Sequence, residues 1–311
     1  MLRLSRNERA IAVNALKRAA PYIRMFKHKV FVLKAGGDAF TTPEGTRAIM
    51  EQVGILHSVG IRVVLVHGGG PQSTELANAL GVSTEFVEGR RVTDESSLEI
   101  AMMVLNGQIN TRLLAACRNL GIPAVGISGV DAGLIKAHKR APVPMNDDPT
   151  KTVDYGFVGD IDEVDASILL KQLDNDLIPI ISPLSADESG TLLNINADTV
   201  AAAIAVALEA EKLILATGTP GILESVDDSR SVISYLDIAG LTKLRDEGRL
   251  TDGMLPKAAA IEQALTGGVP RVHVISYEIP DSLLLEVFTN EGLGTLVVND
   301  IQNLSLAEQQ G

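Results

Sequence analysis

Lys34 stands at the end of a strand-forming run and directly before two glycines, in "VFVLKAGGDAF" at residues 30–40. A second apolar run ends the same way, in "VVLVHGGGPQ" at 63–72. Glycine lets backbone N–H groups come within hydrogen-bonding reach of an anion with no Cβ in the way. The second stretch also opens a helical pattern, and the N-terminal donors and dipole of a helix favour negative charge. Lys257, in "TDGMLPK", follows another glycine turn, and Asp198, in "NINAD", begins a helical stretch. Each feature has a plainer reading on its own. Glycines make tight turns, a strand-end lysine is solvated, an aspartate at a helix start caps it, and Arg91 in "GRRVTD" decorates a hairpin. The combination points instead to a small anion held by converging cations and bare backbone. Neither loop reads GxGxxG or GxxxxGKS/T, so the dinucleotide fold and the Walker-type phosphate loop lack their fingerprints.

Such residues need a frame that brings distant segments together, and the hydrophobic periodicity predicts one. β-Branched runs alternate with helical patterns: a strand at 30–35, a helix from about Pro43 to Ser58, a strand at 61–66 and a helix at 71–80. This alternation predicts parallel strands with crossover helices, and puts both glycine turns at strand carboxyl ends, where open α/β sheets bind ligands. A polar hairpin at 85–94, a helical region from Asp94 to Asn119, a strand at 123–127 and hairpin material over 134–160 follow. Next come a helix from Asp165 to Asp174, one buried strand in "LIPIISPL", an Ala-rich helix at 198–210 and a strand "KLILAT" at 212–217. The remainder reads as a helix "LDIAGLTKLRDEG", a further helix after "TDGMLPK", a strand "RVHVIS" and a terminal "SLLLEVFTNEGLGTLVV". Ahead of the first strand, residues Asn7 to Phe26 form an amphipathic helix that Pro21 is expected to kink or restart. The expected organisation is one compact unit: an N-terminal helix in 1–29, a lobe over 30–183 and a second over 184–311.

Composition bounds the rest. Hydrophobic residues make up 46% and charged residues 21% of the 311, an ordinary globular balance. A net charge of -12 disfavours a nucleic-acid backbone as partner, because such binding needs clustered Lys and Arg. Cys117 is the only cysteine and cannot form an intrachain disulfide. The longest apolar run, 199–208, is far short of the roughly 20 residues of a membrane span. The first 24 residues carry no apolar signal core. These features predict a soluble protein of a reducing compartment, the cytoplasm.

In chain order, "KAGG", "VHGGGPQ", "GRRVTD", "NINAD", "TDGMLPK" and "PDSLLLEVFTNEGLGT" resemble the motifs of the acetylglutamate kinase branch of the amino acid kinase family, over nearly the whole chain. The resemblance implies an α/β fold with an open, mainly parallel sheet sandwiched by helices, here with an added N-terminal helix. It also implies ATP-dependent phosphorylation of the side-chain carboxylate of N-acetyl-L-glutamate in arginine biosynthesis, with Mg²⁺ entering on ATP rather than in a protein metal site. Residues 30–183 then form the acyl amino acid lobe and 184–311 the nucleotide lobe. Under the resemblance Lys34 and Lys257 stabilise the transferring phosphoryl group and Asp198 orients both. Gly69, Gly70, Arg91, Asn194 and Asn196 face the acyl amino acid. Gly36, Gly37, Gly68, Thr217, Gly218, Gly221, Asp252, Gly253 and Met254 face the nucleotide. Phosphoryl transfer between two anions is limited by charge repulsion and positioning, so it calls for cations and N–H donors rather than an acid/base pair. The chain departs from the family pattern at Ala35, Asp38, Gly218 and Asp281. Two alternatives stand beside this reading: a kinase for N-succinylglutamate or carrier-bound aminoadipate, and a non-catalytic arginine-sensing homologue. The N-terminal helix and terminal segment resemble the arginine-sensitive branch, which implies a homo-oligomer, a dimer or a hexamer built as a trimer of dimers. Asp281, Glu286 and Gly292 would then hold arginine as effector.

Overall fold

The structure is a computed structural model, and it describes residues 5–87, 90–145, 150–225, 227–250, 253–289 and 292–303. Helix α1 (Arg6–Phe26) leads into β1 (Val30–Ala35), α2 (Pro43–Ser58), β2 (Arg62–His67) and α3 (Gly70–Leu80). A hairpin of β3 (Phe86–Val87) and β4 (Arg90–Arg91) precedes α4 (Glu95–Met102), a π-helical stretch Met103–Asn110, α5 (Thr111–Leu120) and β5 (Ala124–Ser128). Then come β6 (Ile135–Lys139), β7 (Val143–Pro144), β8 (Thr152–Val153), β9 (Gly159–Val164), α6 (Ser167–Asp174), β10 (Ile178–Ser182), β11 (Leu184–Ala186) and β12 (Leu192–Asn194). The chain closes with α7 (Ala197–Ala207), β13 (Lys212–Thr217), β14 (Tyr235–Asp237), α8 (Ile238–Asp246), α9 (Leu255–Thr266), β15 (Val272–Ser276), α10 (Ser282–Phe288) and β16 (Thr295–Val298).

Eight strands form the main sheet in the order β14-β16-β15-β13-β1-β2-β10-β5. Every ladder in it is parallel except β15 with β16. The expected α/β class with a mainly parallel sheet therefore holds. Central strands buried on both faces read as continuous apolar runs, and β1 divides its residues accordingly. Val32 joins a core with α7 and α9 residues such as Val200 and Ile261, while Phe31, Leu33 and Ala35 join the opposite core with Met50 and Val53 of α2. A second sheet, β12-β11-β6-β9, carries the hairpin material expected over 134–160.

Three details differ from the expectations. α1 is one helix through Pro21, opened by a Ser5–Glu8 capping box. The carbonyl that loses its partner there belongs to the exposed Lys17, which is open to solvent. "LIPIISPL" is two strands in two sheets, because Pro183 cannot donate to a ladder and the chain changes sheet there. Leu236 and Asp237, expected to open a helix, belong with Tyr235 to β14, which pairs with β16, and Asp237 then caps α8 by accepting from the Gly240 N–H at 2.8 Å.

Candidate active site

Parallel register places Lys34 opposite Val66 of β2 and Leu215 of β13, and Ala35 opposite His67. The turns at Gly36–Gly37 and Gly68–Gly70 therefore leave neighbouring strands side by side at one sheet edge. Their backbones approach too closely for side chains. A Cβ on Gly37 would lie 2.8 Å from the Gly69 Cα, and one on Gly69 2.7 Å from the Ile109 and Leu105 side chains.

Asp198 was expected either to cap its helix or to do chemistry, and its neighbour decides the matter. Asn196 is the N-cap of α7, and its Oδ1 accepts from the N–H groups of Asp198 and Thr199 at 2.8 and 3.2 Å. The Asp198 carboxylate is thereby released to meet the lysines. Oδ1 lies 2.8 Å from Lys34 Nζ, and Oδ2 accepts from Lys257 Nζ at 3.4 Å. Lys34 is 6% exposed and Asp198 4%. Burial opposes the Asp198 charge, yet the fields and hydrogen bonds of Lys34 and Lys257 outweigh it and hold the carboxyl below the usual range. Burial likewise lowers the Lys34 ammonium pKa, against the pull of Asp198.

A cleft opens above this bridge. Of the residues singled out from the sequence, Lys34, Gly36, Gly37, Gly68, Gly69, Gly70, Arg91, Asn194, Asn196 and Asp198 line it. Arg91 donates to Thr84 Oγ1 at 3.2 Å, to the Gly70 carbonyl at 3.3 Å and to Thr74 Oγ1 at 2.6 Å, with its guanidinium 4.9 Å from the Phe86 ring centroid. Partial burial lowers its pKa. Asn194 Nδ2 donates to Thr93 Oγ1 at 3.5 Å. The remaining catalytic and nucleotide candidates, Lys257 of α9 and Thr217 of β13 among them, lie outside the cleft lining. The Thr217 hydroxyl donates to the Thr219 carbonyl at 2.8 Å, and Gly218 faces Tyr277 and Glu278. Gly221 packs against Thr295 and Val232. Gly253 accepts from Lys257 Nζ at 3.3 Å, Met254 packs on the core beside α7, and Asp252 lies outside the described residues.

Several cleft residues escaped sequence reasoning. Ser97, Ala101 and Leu105 form a small, mostly apolar wall from α4 and the π-helical stretch. Helical periodicity marks such positions only as core, so no local signal distinguishes them. Far from the cleft, Glu286 is buried, with Oε1 2.6 Å from His273 Nδ1 and Oε2 accepting from the Leu293 N–H at 3.1 Å. A Cβ on Gly292 would stand 3.3 Å from the same carboxylate, and Asp281 precedes α10 in the left-handed region, φ 57°. Lys212 Nζ lies 2.9 Å from His273 Nε2. Neither Lys212 nor His273 was singled out, although a polar residue inside an apolar strand such as "RVHVIS" is a readable signal.

Residues 29–276 match the amino acid kinase family, and the chain belongs to that family. Relatives named acetylglutamate kinase include that of Myxococcus xanthus, 48% identical over 92% of this chain and 94% of the relative, and that of Carboxydothermus hydrogenoformans, 44% identical over 90% and 95%. Among solved structures, N-acetylglutamate synthase from Neisseria gonorrhoeae, complexed with coenzyme A and L-arginine, superposes with a TM-score of 0.79 at 28% identity. That alignment covers 93% of this chain and 65% of the synthase. Carbamate kinase from Giardia lamblia, TM-score 0.62 at 18% identity, shares the fold.

Proposed function

We propose that this chain transfers the γ-phosphoryl group of ATP to the side-chain carboxylate of N-acetyl-L-glutamate, in arginine biosynthesis. A carboxylate oxygen attacks the γ-phosphorus, the bond to the β,γ-bridging oxygen breaks, and the products are an acyl phosphate and ADP. The observation that carries the reading is the Asp198 carboxylate bridging Lys34 and Lys257 beneath a cleft walled by two glycine turns. In it, Lys34 and Lys257 neutralise charge on the phosphoryl group in transit, and Asp198 fixes both ammonium groups so that little reorganisation is needed during reaction. Gly36, Gly37 and Gly68 hold phosphoryl oxygens; Gly69, Gly70, Arg91, Asn194 and Asn196 hold the acyl amino acid, whose acyl group meets Ala101 and Leu105. The nucleotide lies against Thr217, Gly218, Gly221, Asp252, Gly253 and Met254, so that residues 30–183 mainly serve the acyl amino acid and 184–311 the nucleotide, with Asn194 and Asn196 reaching across to the former and Gly36, Gly37 and Gly68 to the phosphates. Among the described residues no group of three metal-ligating side chains is assembled, and Asp198 is committed to lysines. Mg²⁺ enters in this reading on the ATP phosphates, where it usually binds. Among the described residues no helix is long and apolar enough to cross a membrane, in keeping with a cytoplasmic enzyme. Measuring ADP release with N-acetylglutamate, N-succinylglutamate, glutamate and aspartate tests the assignment: turnover fastest with N-acetylglutamate is expected, and absence of turnover with it rejects the reading.

The same proposal extends to regulation. Ile11, Val13, Leu16 and Met25 of α1 are exposed, and exposed apolar side chains of this kind suit burial on a second copy. Within the chain α1 already packs against α10, where Glu286 and Gly292 meet and Asp281 begins the helix, so a hexamer built from dimers through α1 would have its interface next to that segment. Arginine bound there would inhibit turnover, and bound substrate would weaken arginine binding by the same factor. Deleting residues 1–26 is expected to abolish the hexamer and the arginine response; a truncated protein that remains hexameric rejects this part.

A further inference from the structure

The glycine turns can present N–H groups to an anion only if their carbonyls point elsewhere, and buried side chains hold those carbonyls. Gln72, in the first turn of α3, donates from Nε2 to the Gly37 carbonyl at 2.7 Å. Its orientation is unambiguous, because a flipped amide would set Oε1 against another acceptor; Oε1 itself is buried without a partner.

His67 does the same for the other loop, and its tautomer follows from its neighbours. Asn110 Nδ2 lies 3.0 Å from the Ile180 carbonyl, which can only accept, so that amide nitrogen is correctly oriented as a donor. The same nitrogen lies 3.3 Å from His67 Nε2, which must therefore be the unprotonated ring nitrogen. The proton sits on Nδ1, 3.2 Å from the Gly68 carbonyl, to which it donates. Complete burial lowers the His67 pKa to about 4, which keeps this neutral tautomer in place through the physiological range. Asn110 ends the π-helical stretch, and a Cβ on Gly126 would collide with its Oδ1. Ser182 Oγ donates to Asn106 Oδ1 and ties the same stretch to β10. π-Helical segments recur at functional sites, and here the segment supports a loop through Asn110 as well as lining the cleft through Leu105.

We infer that Gln72 and His67, the latter set by Asn110, are positioning residues that clip the Gly37 and Gly68 carbonyls away from the cleft and so aim the N–H groups of the same peptide units, those of Asp38 and Gly69, at the phosphoryl group in transit; the Gly68 N–H itself donates to the Ala35 carbonyl at 2.9 Å. The inference rests on the phosphoryl-transfer reading of this cleft. It predicts an order that space-filling alone would reverse. Asparagine's side-chain nitrogen superposes on His Nδ1 and keeps the clip, whereas glutamine reaches the Nε2 position and loses it, although glutamine fills the cavity better. Full-length His67→Asn, His67→Gln and Gln72→Met are compared with wild type for kcat, both KM values and melting temperature. The expected result is a kcat about 10- to 100-fold lower in His67→Gln and Gln72→Met, with His67→Asn at least tenfold more active than His67→Gln and both KM values within about threefold of wild type. Equal kcat in the two His67 variants, or a Gln72→Met enzyme with wild-type kcat, overturns the inference. Failure of the wild type to phosphorylate N-acetyl-L-glutamate rejects the functional reading instead. The clips are then read from the calorimetric affinity for ATP, which must fall at least tenfold further in His67→Gln than in His67→Asn.

Discussion

Lys34 and Lys212 lie on adjacent parallel strands and both are buried, yet they stand at opposite ends of the sheet. Lys34, near the carboxyl end of β1, pairs directly with Asp198, and the glycine turns beside it leave a cleft above the ammonium group. Lys212, the first residue of β13, bonds to His273, which links it to Glu286, and the Phe26 ring lies 4.9 Å from its ammonium. Lysine can only donate, so His273 Nε2 accepts and the Nδ1 proton goes to Glu286, an arrangement a neutral imidazole satisfies at both nitrogens. Burial, then the Lys212 charge, lowers the His273 pKa to about 4 in spite of Glu286. Two similar charge sets thus have different surroundings. Glycines open one to a cleft, whereas α1 and α10 roof the other.

The comparison predicts different losses when charge is removed from each set. Lys34→Ala and Lys257→Ala should each lower kcat about 10²- to 10³-fold with the fold retained, as loss of a preorganised donor typically does. Near wild-type turnover in both, with native circular dichroism, breaks the catalytic half of the comparison. Glu286→Gln should act on stability instead. Breaking a buried charge set costs about 3 kcal/mol, read as a lower urea midpoint, while turnover falls far less than in the lysine variants. A collapse of kcat equal to that of Lys34→Ala would mean that the two regions are not separable.

Protonation sharpens the contrast. An unfolded histidine takes up a proton as pH falls through 6.5, whereas His67 and His273 remain neutral until about 4. Between those values the unfolded chain binds more protons, so stability falls with pH and levels off below 4. Asp198 contributes in the other range: its depressed pKa adds stability that is fully present above the ordinary carboxylate value and lost only as pH falls through the folded one. His67→Asn should therefore lose on the order of 2 kcal/mol less stability than wild type between pH 7 and pH 5. Identical losses in urea titrations at the two pH values would show that His67 is already protonated in the fold. The smallest effect is expected at the cleft's third cation. Arg91→Ala should raise the KM for the acyl amino acid about tenfold and that for ATP much less, since a forked guanidinium matches a carboxylate; equal changes would make Arg91 a purely structural clamp on Gly70 and Thr74.

Much of the frame was legible because its signals are local. The run "VFVLKAGG" states a buried strand ending in a tight turn, and β1 occupies Val30–Ala35 as expected. Helix α2 begins at Pro43 behind the Thr42 cap and ends at Ser58, again as its periodicity predicts. The hidden features depend on partners distant in the chain. Nothing near Tyr235 announces that its ladder partner is Leu296. The "VHGGGPQ" motif contains His67 and Gln72, but their hydrogen-bond partners include Asn110 and Gly37, one beyond two helices and a hairpin and the other in the turn after the preceding strand.

The sequence by itself determined the alternation of strands and helices, the two glycine turns at strand ends and the identity of the charged residues near them, because periodicity and Gly, Lys and Asp chemistry are properties of short segments. Only the tertiary structure decided which groups act together. Asp198 could have capped α7; Asn196 takes that place, and the carboxylate is left to bridge a lysine 164 positions before it and one 59 positions after it in the numbering. Lys212 could have been a solvated strand-start lysine; packing of α1 and α10 buries it with His273 and Glu286. The reason is physical: a charge's role depends on burial and on what lies within a few ångströms of it, and both are set by contacts between segments rather than within them.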